Sequence, residues 1–127
     1  NREAVRALLE NRKVLFCMNG HDHGDGCTII NGIPYITLNS MSYIWHGMKE
    51  LYAYDAKTHE KYPSLKNMIL YQEPLHAFVE ISDKEARITG MDGHYHTITP
   101  EDAEIGRTWN GVSIEPKVLS RTVKLPR

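Results

Sequence analysis

The sequence predicts an α/β (or α+β) fold that consists mostly of strands after one N-terminal helix. Residues 2–12, REAVRALLENR, place apolar side chains on one stripe at helical spacing, which predicts a short amphipathic helix. Residues 13–18, KVLFCM, form a continuous apolar run, which is typical of a strand buried on both faces. Residues 28–30 and 33–38 are β-rich and flank Asn31-Gly32, the strongest short signal for a type I′ hairpin. A helix, a buried strand and then a polar loop is the order expected of a sheet that binds ligands beyond its strand ends.

Beyond the hairpin the pattern is less regular. Pro34 has no backbone N–H, so we expect it at an edge or at the start of a strand. Residues 39–66 predict a long ordered loop with one helical turn near Met48–Tyr52. The rest of the chain predicts a strand with alternating polarity over 75–82, a hairpin that turns near Met91–Gly93, and a last strand around Thr122–Leu125.

The length and composition describe one ordinary globular domain, spanning residues 1–127. The chain has 15 basic and 16 acidic residues, so its charge does not indicate binding to nucleic acid or to an anionic membrane. It contains no apolar run long enough for a transmembrane helix. Cys17 and Cys27 match no zinc-binding pair and predict reduced thiols in a cytoplasmic protein. The chain begins with Asn-Arg-Glu-Ala and enters a helix at once, so we expect a fragment of a longer protein.

The segment CMNGHDHGDG carries the residues with the clearest chemistry. His21 and His23 lie one residue apart, bounded by Gly20 and Gly24, directly after the apolar run. Neutral imidazole is a good ligand for transition metals, and glycines let the backbone approach a ligand closely. Side chains one residue apart point to opposite sides, so the pair reaches two neighbouring metals more easily than one. The alternative is a polar surface loop in which both histidines only form hydrogen bonds.

The stretch VLFCMNGHDHGDGCTIINGIPYITLNS resembles the last conserved block of the calcineurin-like metallophosphoesterases. In that family a buried strand leads into Gly-His-x-His and a strand pair follows, within a four-layer α/β sandwich. The resemblance covers roughly residues 14–40. It implies a dinuclear-metal phosphohydrolase in which His21 ligates one divalent metal (Mn, Fe, Zn or Ni) and His23 the other. A metal-bound hydroxide would then hydrolyse a phosphorylated small molecule.

The rest of the family's site is expected to lie outside this chain. The family also uses an Asp-x-His, a Gly-Asp, a Gly-Asn-His and a further His, all upstream of the block, and none of these precedes His21. Asp92-Gly93-His94 and Gly24-Asp25 fit short parts of these patterns but follow the block, so they are treated as coincidence. We therefore expect no catalytic residue in this chain, no activity from it alone, and association as a homo-oligomer or with a companion N-terminal segment.

Several further residues are candidates for substrate contacts. Asn19 could hydrogen-bond a phosphate oxygen or could only stabilise the turn that follows it. In the resembling family the region after the hairpin runs near the metals, so its polar and aromatic residues could touch substrate or could form an ordinary packed loop. These residues are Asn39, Ser40, Tyr43, Trp45 and His46. Asp22 and Asp25 are predicted to be solvated loop acids.

A second Gly-His-x-His motif, Gly93–His96, is either a plain hairpin or part of a cupin-like metal site. His94, His96 and Glu101 approximate the His-x-His and Glu spacing of cupin barrels, which hold a single metal. Gly90 and Gly106 lie at the wrong offsets for a cupin, and we expect a plain hairpin at this motif. For the chain as a whole, a further alternative is a non-catalytic α+β module in which the loop of His21 and His23 has no metal role and the strands serve association.

Overall fold

The computed structural model describes residues 1–47 and 49–124 and shows a mixed α+β fold made mostly of short strands. The helices are α1 (Arg2–Glu10), α2 (Ala56–Lys61) and a 3₁₀ helix (Pro63–Asn67). The strands are β1 (Cys17–Asn19), β2 (Gly26–Ile30), β3 (Ile33–Thr37), β4 (Tyr43–Trp45), β5 (Met68–Leu70), β6 (Phe78–Ile81), β7 (Glu85–Thr89), β8 (Met91–Asp92), β9 (Thr108–Trp109), β10 (Val112–Ser113), β11 (Lys117–Val118) and β12 (Arg121–Lys124). No helix in the described ranges is long and apolar enough to cross a membrane.

Two three-stranded sheets, ordered β1-β3-β2 and β12-β7-β6, pack on each other. Ile36 of β3 lies in one hydrophobic cluster with Ala86 and Ile88 of β7 and Val123 of β12. A second cluster, centred on Ile69, joins the strand pairs β4-β5 and β8-β11. Leu38 and Ala77 are packed against both clusters, so the sheets and the strand pairs share a continuous core.

The hairpin of β2 and β3 confirms the prediction from Asn31-Gly32. Asn31 and Gly32 have φ angles of 48° and 81°, and Ile30 pairs with Ile33 across the turn. In a two-residue hairpin the closing pair exchanges both hydrogen bonds, so the next pair, Ile29 and Pro34, does not use the proline nitrogen. β1 pairs with β3 only from Tyr35 onward. Pro34 therefore lies at the start of β3, where its missing N–H leaves no partner unsatisfied.

The predicted strand over 13–18 is wrong in extent and in burial. Only Cys17–Asn19 forms a strand, and it lies at the edge of its sheet, paired on one side with β3. Leu15 and Met18 are exposed. The apolar run has the composition of a central strand, but the described residues provide neither a second neighbouring strand nor a layer over its outer face.

The N-terminal helix is confirmed, although most of its apolar stripe is exposed. α1 spans Arg2–Glu10, close to the predicted range of 2–12. Val5 is 50% exposed and Leu8 is 68% exposed. Two contacts of polar groups join the helix to the hairpin: the amide of Asn31 donates to Glu10 at 2.8 Å, and the Arg6 guanidinium lies over the Tyr35 ring.

Three other predicted elements need correction. The predicted helical turn near Met48–Tyr52 is absent from residues 49–52, and Met48 lies outside the described residues; the helix is α2, which Asp55 caps by accepting from Thr58 N at 2.8 Å. The alternating strand predicted over 75–82 is limited to Phe78–Ile81. The predicted hairpin at Met91–Gly93 is wrong, because β7 pairs with β6 and β12 whereas β8 pairs with β11.

A close approach at Gly90 explains why the chain crosses between strand pairs there. A Cβ at this position would overlap the carbonyl of Val118 on β11. The glycine therefore lets the chain leave β7 and continue directly beside β11. The last predicted strand is confirmed as Arg121–Lys124, and Leu125 lies outside the described residues.

A clasp between two hairpins fixes the loop that precedes β2. Backbone hydrogen bonds join Asp25 and Ser113 in both directions, at 2.6 and 2.8 Å. On either side of Asp25, Gly24 and Gly26 leave room for Val112, because a Cβ at these glycines would lie 2.5 and 2.7 Å from the valine methyl groups. We call this contact of Gly24–Gly26 with Val112–Ser113 the glycine clasp. It holds the β9-β10 hairpin against the start of β2.

We predict that Gly26→Ala destabilises the protein by about 1–3 kcal/mol, because the added methyl group overpacks against Val112. Val112→Ala should restore part of this loss in the double variant, since it removes the methyl groups that the new Cβ would strike. Gly106→Ala is the matched control, because a Cβ at Gly106 meets no atom within 4 Å. Urea denaturation measures Gly26→Ala, Val112→Ala, their double variant and Gly106→Ala, and equal effects at Gly26 and Gly106 would refute the clasp.

Candidate metal centre

The structure brings the two predicted metal ligands into one cleft. The loop between β1 and β2 places His21 at the surface and His23 in a half-buried position. Both line an open cleft of about 550 Å³. The other residues that line it are Asp22, Tyr43, Trp45, Trp109 and Asn110. The β1-β2 loop, β4 and the β9-β10 hairpin thus each contribute a wall.

Hydrogen bonding fixes the orientation and tautomer of His23. Its Nδ1 lies 3.1 Å from the carbonyl oxygen of Tyr43. A carbonyl oxygen only accepts hydrogen bonds, so Nδ1 carries the proton and the neutral ring keeps a lone pair on Nε2. The ring also packs edge-to-face on the Tyr43 ring, with centroids 4.8 Å apart. An imidazole that donates from one nitrogen to a backbone carbonyl and presents the other is the usual arrangement of a metal-ligating histidine.

The backbone at His23 is in a conformation that costs energy. Its φ angle is +50°, in the left-handed region that non-glycine residues adopt at a cost of roughly 1–2 kcal/mol. The hydrogen bond to Tyr43 and the adjacent glycine clasp hold the residue there. Such conformations often occur where the position of a functional side chain depends on them.

Asp25 corrects the prediction that it is a solvated loop acid. The residue is 3% exposed and its carboxylate is paired with the Arg121 guanidinium of β12, whose side chain is 14% exposed. Burial raises the pKa of Asp25 above its ordinary value of 3.8, and the nearby positive charge of Arg121 opposes this shift. This buried ion pair joins the β1-β2 loop, which carries His21 and His23, to β12, the last described strand.

Asn19 and His46, the predicted substrate-contacting residues, lie apart from the cleft walls. The Asn19 amide donates to the Thr37 hydroxyl at 3.2 Å, which ties β1 to β3. His46 is buried, and burial lowers the pKa of its imidazole. It follows Trp45 at the end of β4, and alternation along the strand turns Tyr43 and Trp45 toward the cleft while Ile44 points into the core. The placement of Asn19 and His46 does not support a role for either residue in substrate binding, and those roles stay predictions.

Two of the other loop residues considered as substrate contacts do line the cleft, namely Tyr43 and Trp45. Asn39 instead has a structural role. Its amide donates to the carbonyls of Glu115 and Lys117 at 2.7 and 3.2 Å, and it accepts from the Tyr71 hydroxyl at 3.0 Å. A buried amide with three partners of this kind joins distant parts of the chain.

The second Gly-His-x-His motif does not form a shared site. The Nδ1 atom of His94 lies 2.9 Å from Glu73, whereas that of His96 lies 3.3 Å from the Tyr54 hydroxyl. The two imidazoles line separate clefts. Glu101, the third residue of the cupin-like spacing, is paired with Arg107. The placement of these three residues gives no support to the cupin alternative.

The sequence patterns missed Trp109 and Asn110, which form the far wall of the cleft. A signal for them was present, because Asn110-Gly111 is a second Asn-Gly dipeptide between β-rich pairs. Asn110 and Gly111 have φ angles of 48° and 81°, the same as Asn31 and Gly32. The flanking strands are only two residues long, so period-2 alternation could not identify them.

Among the described residues, those that line this cleft include two imidazoles but no complete metal shell. Within residues 1–47 and 49–124, no group of three or more His, Cys, Asp or Glu side chains is placed to hold a metal ion. The donor set fits part of a transition-metal site, since His21 and His23 share a cleft and His23 presents Nε2.

We predict that Arg121→Met lowers the free energy of unfolding by about 3–5 kcal/mol at pH 7, because it leaves the Asp25 carboxylate buried without its partner. The raised pKa of Asp25 fixes the sign of the pH dependence. Folding favours the protonated acid, so the stability that this proton contributes is lost as the pH rises from 3.8 through the raised value. Removal of Arg121 takes away the charge that opposes this shift, so the pKa of Asp25 should be higher still in the variant and the deficit should shrink as the pH falls.

The matched control for this prediction is Arg87→Met. Arg87 pairs with Glu85 at 3.0 Å, but its side chain is 58% exposed, so the loss should stay below about 1 kcal/mol. Urea denaturation at pH 7 and pH 5 measures both variants. A deficit at Arg121 that equals the one at Arg87, or that grows in acid, would show that the pair is not a buried one.

Comparisons of the chain with protein-family models, with curated proteins and with solved structures found no match. The basis for proposing a function is therefore the chain's own residues, namely the glycine-bounded His-x-His loop and the cleft that this loop lines.

Proposed function

We propose that this chain is the C-terminal segment of a dinuclear-metal phosphohydrolase, and that it contributes the last strands of a four-layer α/β sandwich. One observation carries the proposal. His21 and His23, the two histidines of the family-like block, line the same cleft, and the Nδ1–H of His23 is already engaged by the Tyr43 carbonyl. The mixed α+β fold with a parallel β1-β3 pair before the histidine loop is compatible with this assignment.

In this proposal His21 and His23 each donate a ring nitrogen to one of two neighbouring divalent cations (Mn, Fe, Zn or Ni). When bound, such a pair of cations supplies Lewis-acid activation of water and neutralises charge on the phosphate of a phosphorylated small molecule. The contribution of this chain is orientation. Tyr43 holds the His23 ring, and the glycine clasp holds the loop that carries both ligands. No catalytic acid or base is assigned within the chain.

Uncovered apolar side chains support association with further polypeptide. The edge strand β6 exposes Phe78 and Ile81, at 68% and 59%, and α1 exposes Leu8. An open apolar edge strand and a helix with a bare apolar stripe are surfaces that proteins normally cover. We propose that a companion N-terminal segment, or a second copy of the chain, covers them. The free thiols of Cys17 and Cys27 support a cytoplasmic location.

The test is metal content and turnover in the polypeptide encoded by the complete reading frame. We expect about two equivalents of Mn²⁺ in the wild type, and about one fewer after His21→Ala or His23→Ala. Phosphomonoester and phosphodiester turnover should fall by at least about 100-fold in both variants, because each loses a ligand of the dinuclear centre. Elemental analysis after dialysis measures the metal. A colorimetric phosphate assay measures phosphomonoester turnover, and release of p-nitrophenol from bis(p-nitrophenyl) phosphate measures phosphodiester turnover.

The chain supplies its own matched control in the second motif. His94→Ala and His96→Ala change the same residue type in the same four-residue pattern, and they should leave metal content and turnover unchanged. Metal loss confined to His94 and His96 would instead favour a cupin-like centre, and absence of metal would favour a non-catalytic module. Robust turnover by the 127-residue chain alone would contradict the assignment of the other ligands to a companion segment.

A further inference from the structure

We propose that the cleft beside His21 and His23 contains a stacking site for a nucleobase, so that the substrate is a nucleoside phosphate. The inference rests on the proposed function for the phosphate end of the ligand. It adds a second pole to the cleft, formed by Trp45 and Trp109, which would hold the planar base while the histidine end holds the phosphate.

The two tryptophans are the first observation. Trp45 is 52% exposed and Trp109 is 49% exposed, and both line the same cleft from different hairpins. They are the two tryptophans of the entire chain. An indole left half in water forgoes much of its burial free energy, and a half-exposed ring face offers a surface on which any base can stack.

The remaining lining residues match the edges of a base. The Asn110 amide, which follows Trp109 in the chain, can both donate to and accept from a base edge, and the Asp22 carboxylate, between the two histidines, lines the same cleft as a further acceptor. No Lys or Arg is among the described residues that line the cleft, so nothing there attracts a second anionic group to this end. An uncharged planar group with polar edges therefore suits this end of the cleft better than a further phosphate.

The size and openness of the cleft favour a base over a small organic cation. At about 550 Å³ the space suits a ligand of nucleotide size. An aromatic cage for an ammonium group surrounds the cation closely on several ring faces, whereas these indoles are each half exposed. Tyr43 is also less available as a cage wall, because its ring packs against His23.

The glycine clasp explains how Trp109 is kept in place. Trp109 pairs with Val112 across the β9-β10 hairpin, and Val112 is the side chain that Gly24 and Gly26 accommodate. The loop that carries the histidines therefore also fixes the hairpin that carries Trp109. The glycine clasp therefore positions both the histidine loop and Trp109, as expected for a site that recognises both ends of one ligand.

Tryptophan fluorescence of the 127-residue chain tests the base-binding pole directly, because Trp45 and Trp109 produce the whole signal. Adenosine should quench the emission saturably, whereas ribose and choline should not. Trp109→Ala and Trp45→Ala should each raise the dissociation constant for adenosine by about tenfold, and Trp109→Phe should keep most of the affinity. Tyr62→Ala, which removes a similarly exposed ring from a separate cleft, should have no effect. Absence of saturable quenching by adenosine, or quenching by choline instead, would overturn the inference.

Turnover by the complete polypeptide with Mn²⁺ separates this inference from the function on which it rests. Trp109→Ala should lower kcat/KM for adenosine 5′-monophosphate by about tenfold and leave that for ribose 5-phosphate unchanged. Equal losses for both substrates would overturn the stacking site while leaving the phosphohydrolase intact. Failure of the wild type to hydrolyse either substrate would overturn the phosphohydrolase, and the adenosine titration would still decide the stacking site.

Discussion

The arrangement of the candidate site depends on the contact between Gly24–Gly26 and the β9-β10 hairpin. The backbones of Asp25 and Ser113 pair in both directions, and the absence of side chains at Gly24 and Gly26 makes room for Val112. At the same position in the chain, the buried Asp25 carboxylate forms an ion pair with the Arg121 guanidinium. The glycines after His23 thus serve close packing, and the histidines before them take their position from it.

The buried pair of Asp25 and Arg121 illustrates the balance that such a site requires. Desolvation of the carboxylate costs free energy, and the guanidinium offsets part of that cost. Two apolar side chains in place of Asp25 and Arg121 would avoid the desolvation penalty. They would not specify, as opposite charges do, that β12 packs against this loop. The pair links β12, near the end of the described chain, to the loop that carries both metal-ligand candidates.

Local patterns predicted the elements whose signals are contained within a few residues. Asn31-Gly32 identified the β2-β3 hairpin, and the helical stripe identified α1, because turn chemistry and periodicity act over short distances. The burial of 13–18 and the course of the chain around Gly90 depend on distant partners, so composition alone misassigned them. The same holds in the site. His21 and His23 follow from a motif, whereas their proximity to Trp109 is set by a contact across some ninety residues of chain.

We propose that His21 and His23, which line one cleft, bind two neighbouring cations through their ring nitrogens. Long-range ¹H–¹⁵N NMR of the histidine side chains, recorded on the complete polypeptide before and after addition of Zn²⁺, tests it most directly. We predict His23 in the Nδ1–H tautomer before Zn²⁺ is added, and coordination shifts at His21 and His23 together afterwards, with His94 and His96 unchanged. An Nε2–H tautomer at His23, or shifts confined to the second motif, would contradict it.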